Sequence, residues 1–334
     1  MSSSEPARLH YDVLTFGETM LRFTPPGRAR LEQAHELQVH IGGSESNTAV
    51  GLARLGMRTA WLSRLPRSAL GRMVSGELAR YGVDVQHVQW TDDDRLGLYF
   101  LEEGGPPRGS SVIYDRCDSA ISRITPADVP RDLFAPGRLR VFHTTGITLA
   151  ISETARAAAE LSARLAKAAG AIVSFDVNYR AKLWPTESAA RGCQALMQQA
   201  DLVFLPDRDA QSLFAVPATT DPAQALRELT VRYPGPIWIL TRGRSGSMAL
   251  ADGKTYEQGI FASDEVGRLG GGDAFSAGFL ARYLESDGDI GEALRWGAAA
   301  SALKYSMPGD LPLMTRSEVE NLVSSSGNPS SLRR

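Results

Sequence analysis

The sequence has 334 residues, 43% hydrophobic and 22% charged, an ordinary globular balance that excludes collagen, coiled coil and wholesale disorder. A formal net charge of −2 excludes an electrostatic nucleic-acid binder, which needs a concentrated basic surface to neutralise phosphates. Two cysteines cannot build a disulfide framework or, by themselves, a metal cluster, and they suit a reducing compartment.

The opening MSSSEPARLH carries no apolar leader, and no run reaches 18 apolar residues, so the expectation is a cytoplasmic protein without membrane contact. Residues 1–9 and the Ser-rich 324–334 are read as frayed tails around a single domain over 10–323. Within it, short β-rich runs recur: YDVLTFG (11–17), TAWLSRL (59–65), RVFHTTGI (140–147), AIVSFDVN (171–178), DLVFLP (201–206) and PIWILTRG (236–243). Ala-rich segments at helical spacing separate them, as in 152–170, where Ser152 is a predicted N-cap and Gly170 a stop. This alternation predicts an α/β fold with a mostly parallel central sheet covered on both faces.

Two stretches break the rhythm, LRFTPPGRARLEQAHELQVHI (21–41) and RLGLYFLEEGGPPRGSSVIYDR (95–116). The second alternates on either side of a turn-rich GGPPRGS and reads as a hairpin. Both are assigned to a small β-sheet lid formed by about 20–42 and 95–117. A hairpin this small leaves apolar residues on both faces, among them Leu98, Phe100, Val112 and Ile113, so a homodimer through the lid is expected.

The sharpest chemical signal is RLGGGDAFSAGFLARYL (268–284), in which Gly270, Gly271 and Gly272 precede Asp273 and a helix. Glycines at a helix start let several backbone N–H groups converge on one anion, and the helix dipole favours an ionised Asp273. DGKT (252–255) resembles the end of a Walker A loop, but Met248 stands where its first glycine belongs, so a turn between strands is expected. GGSES (42–46) lacks the last glycine of a nucleophile elbow, HExxH and CxxC do not occur, and none of the five histidines has a metal-type partner. A second signal is GGSESNTAVGLARLG (42–56), with Asn47 predicted to open a helix.

Together, the GG…N segment and the later G-x-G-D segment resemble the two signatures of the ribokinase-like, or PfkB, family of carbohydrate kinases, in the same order and spacing. The resemblance runs from Tyr11 to about Val323. It implies a three-layer α/β/α sandwich with a β-lid, ATP at the C-terminal ends of the strands, Mg²⁺, and transfer of the γ-phosphoryl group to a sugar hydroxyl. The segments GLYFLE (97–102), SVIYDRCDSAIS (111–122), FDVNYRAKLWP (175–185) and MPGDLP (307–312) look most like the branch acting on 2-keto-3-deoxygluconate.

That likeness implies a sugar-acid site at Gly43, Asn47, Tyr99, Tyr114, Arg116, Arg180, Asp273 and Asp310, with Asp273 and the amides of Gly270 to Gly272 catalytic. It implies nucleotide contacts at Asn178, Tyr179, Arg180, Thr241, Arg242, Gly243, Gly246, Gly270 to Gly272 and Ala298. A keto-deoxy sugar acid is a monoanion, so guanidinium forks such as Arg116 and Arg180 suit its carboxylate.

Three positions depart from the family pattern. Gly267 stands where an acid usually helps hold a monovalent cation, so little dependence on K⁺ is expected. The motif linked to Mg²⁺ falls on DRDA (207–210), leaving Asp207 or Asp209 to serve in place of the glutamate that Ala210 replaces. LPRSALG (65–71) lacks the usual acid before its glycine. The competing expectations are a kinase for another sugar, such as fructose or a related keto-deoxy acid, and a sugar-binding regulator without turnover.

Overall fold

The computed structural model describes residues 10–217 and 221–325. Strand β1 (Tyr11–Phe16) leads into two strands of a separate small sheet, β2 (Met20–Thr24) and β3 (Gln38–Gly42), and then into helix α1 (Ser44–Arg54). Next come β4 (Thr59–Pro66), α2 (Ala69–Arg80), and the short β5 (Val83–Asp84) and β6 (Val88–Thr91), after which β7 (Leu98–Glu102) and β8 (Ser111–Asp115) return to the small sheet. Strand and helix then alternate through β9 (Leu139–Thr145), α3 (Gly146–Ile151), α4 (Glu153–Ala168), β10 (Ile172–Asp176), α5 (Thr186–Gln199), β11 (Leu202–Pro206), α6 (Asp207–Phe214), α7 (Pro222–Arg232) and β12 (Ile237–Thr241). The hairpin β13 (Ser247–Ala251) and β14 (Lys254–Gln258) precedes the helices α8 (Gly271–Glu285), α9 (Ile290–Tyr305) and α10 (Arg316–Ser324).

The large sheet runs β14-β13-β12-β11-β10-β9-β1-β4-β5, with β6 also on β4, and is parallel except at β12–β13 and β13–β14. Its central strands are rich in apolar residues and buried on both faces because helices cover both: β1 is buried at every position. Alternate side chains serve opposite layers. Leu14, Val203, Leu205 and Leu240 pack with Ala158, Ala163 and Leu196 of α4 and α5, while Val13, Leu202, Phe204 and Ile239 pack with Phe279, Leu280 and Leu294 of α8 and α9. The small residues of α8 permit close approach: a Cβ on Gly278 would lie 2.6 Å from the Trp296 carbonyl oxygen, and one on Gly51 of α1 2.8 Å from the Ala277 methyl.

Ser152 caps α4 through the amide of Ala155, and Asp252 and Gly253 turn β13 into β14 with φ of 50° and 74°, the twist that two-residue hairpins favour. One helix start is corrected. α1 opens at Ser44 after Gly43, and Asn47 lies in its first turn, its amide bonded to the Gly43 carbonyl at 2.8 Å. Strands β5 and β6 carry too short an apolar pattern to be read in advance. The tail expectation at 1–9 and 326–334 lies outside the described residues, whereas Ser324 closes α10.

The small sheet runs β3-β2-β7-β8, with β7 and β8 antiparallel and Tyr99 opposite Tyr114. Register puts Val39, Phe23, Phe100 and Ile113 side by side across all four strands, with Phe23 and Phe100 stacked at 5.4 Å. The other face carries Arg22, His40 and Tyr99 toward the end of the large sheet. There the chain leaves neighbouring strands in opposite directions, from β1 outward to β4 and from β9 outward to β10, the usual place for a ligand crevice in an open α/β sheet. Among the described residues no helix is long and apolar enough to cross a membrane.

Candidate active site

Asp273, the third residue of α8, is held at both carboxylate oxygens. The Ser44 hydroxyl donates to Oδ1 at 2.6 Å and the Asn47 amide donates to Oδ2 at 2.7 Å, both from the first turn of α1. Asn178, just past β10, donates in turn to the Ser44 oxygen at 2.8 Å, which directs the hydroxyl proton at Asp273. Burial raises the Asp273 pKa from its ordinary value, opposed by these two donors and by the nearby Arg180. A first-turn helix position alone would hold the carboxylate ionised, but desolvation outweighs that pull and makes Asp273 a stronger base.

The glycines are fixed by what surrounds them. Gly270 caps α8 with φ of 77°, in the left-handed region, and a Cβ there would lie 2.1 Å from the Asp310 carbonyl oxygen. A Cβ on Gly271 would strike the Tyr305 ring, whereas one on Gly272 meets nothing within 4 Å. The turn is therefore packed from behind and open in front, where an anion can reach its amides. Gly42 and Gly43 are close-approach positions: added Cβ atoms would lie 2.7 Å from the Tyr99 hydroxyl and 2.0 Å from the Glu18 carbonyl.

Two further acids lie buried near Asp273. Glu45 accepts at Oε1 from the Thr145 amide and from the hydroxyls of Thr145 and Thr148, and its pKa is pushed up to about 7 by burial. Burial likewise raises Asp176 to about 8, with Asp273 adding to the shift. Both carboxyls retain a proton in the folded chain at pH values where the unfolded chain has lost it. Stability therefore falls as pH rises from about 4 through about 8. The displacement of Glu45 from 4.5 to about 7 corresponds to roughly 3 kcal/mol. Glu45→Gln is expected to remove that part of the loss, so its melting temperature should decline less than the wild type's between pH 5 and 8. An unchanged slope in matched thermal melts would contradict the assignment.

On the small-sheet side, the Tyr99 hydroxyl donates to Asp310 Oδ1 at 2.7 Å, and Arg22 lies 3.0 Å from Asp310 Oδ2. Asp310 is thus fixed by two neighbours. Tyr114 lies beside Tyr99, ring centroids 5.8 Å apart, with the Arg116 guanidinium 5.4 Å from its own centroid. Arg116 is buried and ion-paired with Glu18, which also accepts from Ser119. It is therefore not the unencumbered fork expected from the sequence. Arg180 is: it is half-buried, its one hydrogen bond is to the Tyr179 carbonyl at 3.1 Å, and it has no carboxylate within ion-pair distance among the described residues.

The expected nucleotide residues lie along the same sheet edge, but only part of the set joins Asp273. Asn178 does so through Ser44, and the Tyr179 amide donates to buried Asp209 at 3.1 Å. Thr241 ends β12, and Arg242, Gly243 and Gly246 form the loop beyond it, where Arg242 pairs with Glu257 at 2.5 Å. No hydrogen bond or ion pair connects this loop to the Asp273 cluster among the described residues. Ala298 is buried in the apolar seam of α9. No group of three His, Cys, Asp or Glu is arranged to hold a metal among the described residues.

Sequence reading missed Glu18, Arg22, Ser44, Glu45 and Lys304. Glu18 had a signal, an acid two residues past a strand at the sheet's C-terminal edge. Glu45, an acid among small residues at a helix start, had a weaker one.

The chain matches the pfkB family carbohydrate kinase model over residues 11–314. It is 39% identical to a 2-dehydro-3-deoxygalactonokinase of Haloferax volcanii over 93% of this chain and 96% of that one. It is 31% identical to a 2-dehydro-3-deoxygluconokinase of Thermoproteus tenax over 92% of each. Among solved structures it is similar to 2-dehydro-3-deoxygluconokinase of Thermotoga maritima, with a TM-score of 0.87, 30% identity, and coverage of 95% of this chain and 99% of that one. The chain belongs to the pfkB family of carbohydrate kinases.

Proposed function

We propose that this kinase transfers the γ-phosphoryl group of ATP to the terminal hydroxyl of a 2-keto-3-deoxy sugar acid, the gluconate form or its C4 epimer, the galactonate. The observation that carries the reading is Asp273, a buried carboxylate locked by Ser44 and Asn47 behind the open glycine turn. Asp273 accepts the proton of the attacking hydroxyl. The amides of Gly270 to Gly272 face the charge that develops on the transferring group. Bound Mg²⁺ supplies charge neutralisation on the phosphates, and Asp207, at the start of α6, is the carboxylate we assign to its water shell. Arg180 grips the substrate carboxylate, and Tyr99, Tyr114, Asp310 and the Glu18-oriented Arg116 close the pocket from the small sheet.

A panel of keto-deoxy acids, neutral hexoses and aldonic acids, read by ADP release, tests the reading. Turnover confined to the keto-deoxy acids is expected. Preference for fructose, or sugar binding without ADP, would replace it with one of the two competing readings.

We also propose a homodimer through the outer face of the small sheet, where Ile113 is 57% and Val39 40% exposed. Sedimentation should give twice the 36.1 kDa chain mass, and Ile113→Asp should halve it. A wild-type monomer at micromolar concentration would refute this. A reducing, cytoplasmic setting suits the free Cys117 and Cys193.

A further inference from the structure

Lys304 is the one lysine of four that the chain buries completely, and nothing in the scheme above uses it. It lies at the end of α9, and its ammonium donates to the carbonyls of Met307 at 3.1 Å and Gly309 at 3.0 Å. Its Cε would stand 3.3 Å from a Cβ on Gly270, so the side chain runs behind the glycine turn. The loop before that turn packs against the same end of α9 and the segment after it. The Val266 and Gly267 amides bond to the Tyr305 carbonyl at 2.8 and 3.2 Å, and a Cβ on Gly267 would lie 3.2 Å from the Met307 oxygen.

A buried lysine is costly unless its charge is used or compensated. Two converging carbonyl oxygens are the donor type that takes a small hard cation, and a compact ammonium matches them where a planar guanidinium does not. That distinction matters in a chain whose basic residues are otherwise almost all arginine. Burial and Arg22 act against the charged form of Lys304, while Asp310 and Asp273 favour it.

We propose that Lys304 is a resident monovalent cation for the glycine turn. Its ammonium ties the Met307–Gly309 loop against Gly270 and places fixed positive charge behind the amides that receive the phosphoryl group, so no alkali-metal ion is needed there. Lys304 is thus a positioning residue, since it touches neither substrate nor phosphate. The turnover arm of this proposal rests on the kinase reading; its binding arm does not.

The test compares wild type, Lys304→Ala and Lys304→Met in tetramethylammonium, potassium and ammonium chloride at equal ionic strength. Wild-type turnover and melting temperature should agree within twofold and within error across the three salts. Lys304→Ala, which leaves the carbonyls facing an open hole, should lose at least 100-fold in kcat in tetramethylammonium with KM for the sugar acid changed less than threefold. K⁺ or NH₄⁺ should then restore at least tenfold and raise its melting temperature. Lys304→Met, which fills the space without charge, should lose kcat equally and not be rescued. A Lys304→Met kcat within threefold of wild type, or a tenfold rise of wild-type turnover with K⁺, would overturn the proposal. Should Lys304→Ala fold only in K⁺ or NH₄⁺, that supports it; failure to fold in every salt overturns it. If wild type phosphorylates no sugar acid, the kinase reading fails and the melting curves of Lys304→Ala alone decide the cation site.

Discussion

Asp273→Asn is expected to lower turnover by three orders of magnitude or more while sugar-acid binding changes less than threefold. The amide is nearly isosteric, so the packing of α8 against α1 survives. Two things change at the reacting atom. An amide cannot take up the hydroxyl proton, and its NH₂ must face either the Ser44 hydroxyl, directed at it by Asn178, or the Asn47 amide, both of which are donors. The loss therefore falls on interactions made in the transition state and appears in kcat rather than KM. Single-turnover kinetics together with calorimetric titration of the sugar acid separate the two. A variant keeping a tenth of wild-type turnover would remove Asp273 from the role of base.

Arg180→Ala is expected to raise KM for the sugar acid tenfold to a hundredfold, from about 1.5–3 kcal/mol for a hydrogen bond to a charged group and about 1.4 kcal/mol per decade. KM for ATP should hardly move, and residual activity on a neutral sugar should be unimpaired, since that sugar has no carboxylate to lose. Arg180→Lys should recover only part, because one ammonium cannot reproduce a bidentate fork. Arg116→Ala should behave differently. Arg116 is ion-paired with buried Glu18, so its removal strands a carboxylate and costs stability as well as affinity. Equal losses on charged and neutral sugars for Arg180→Ala would mean that this arginine shapes the segment after β10 and does not grip the carboxylate.

The difference between these arginines marks where sequence reading stopped. Alternating apolar runs and Ala-rich segments foretold the parallel sheet, because burial on both faces leaves a local pattern. The 95–116 hairpin and the Asp252–Gly253 turn were legible for the same reason, since turn chemistry is local. Ser44 and Asp273, however, are 229 residues apart, and Tyr99 and Asp310 are 211 apart. No spacing rule joins them; only the crossing of α1, α8 and the small sheet does. Arg116 looked free because Glu18 lies 98 residues upstream, on the loop after β1. Gly43, extended at φ −168°, puts the α1 start at Ser44 rather than at Asn47, so that both side chains lie in the first turn and donate to Asp273.

The most direct test follows the phosphoryl group itself. Purified protein, ATP, Mg²⁺ and 2-keto-3-deoxygluconate or its galactonate epimer are combined, and ³¹P and ¹³C spectra of the product are recorded. One phosphate ester per ADP, with ³¹P coupling to the terminal carbon of the sugar acid, is the expected result. Unchanged ATP, inorganic phosphate beside an untouched sugar, or an ester at another carbon would contradict it.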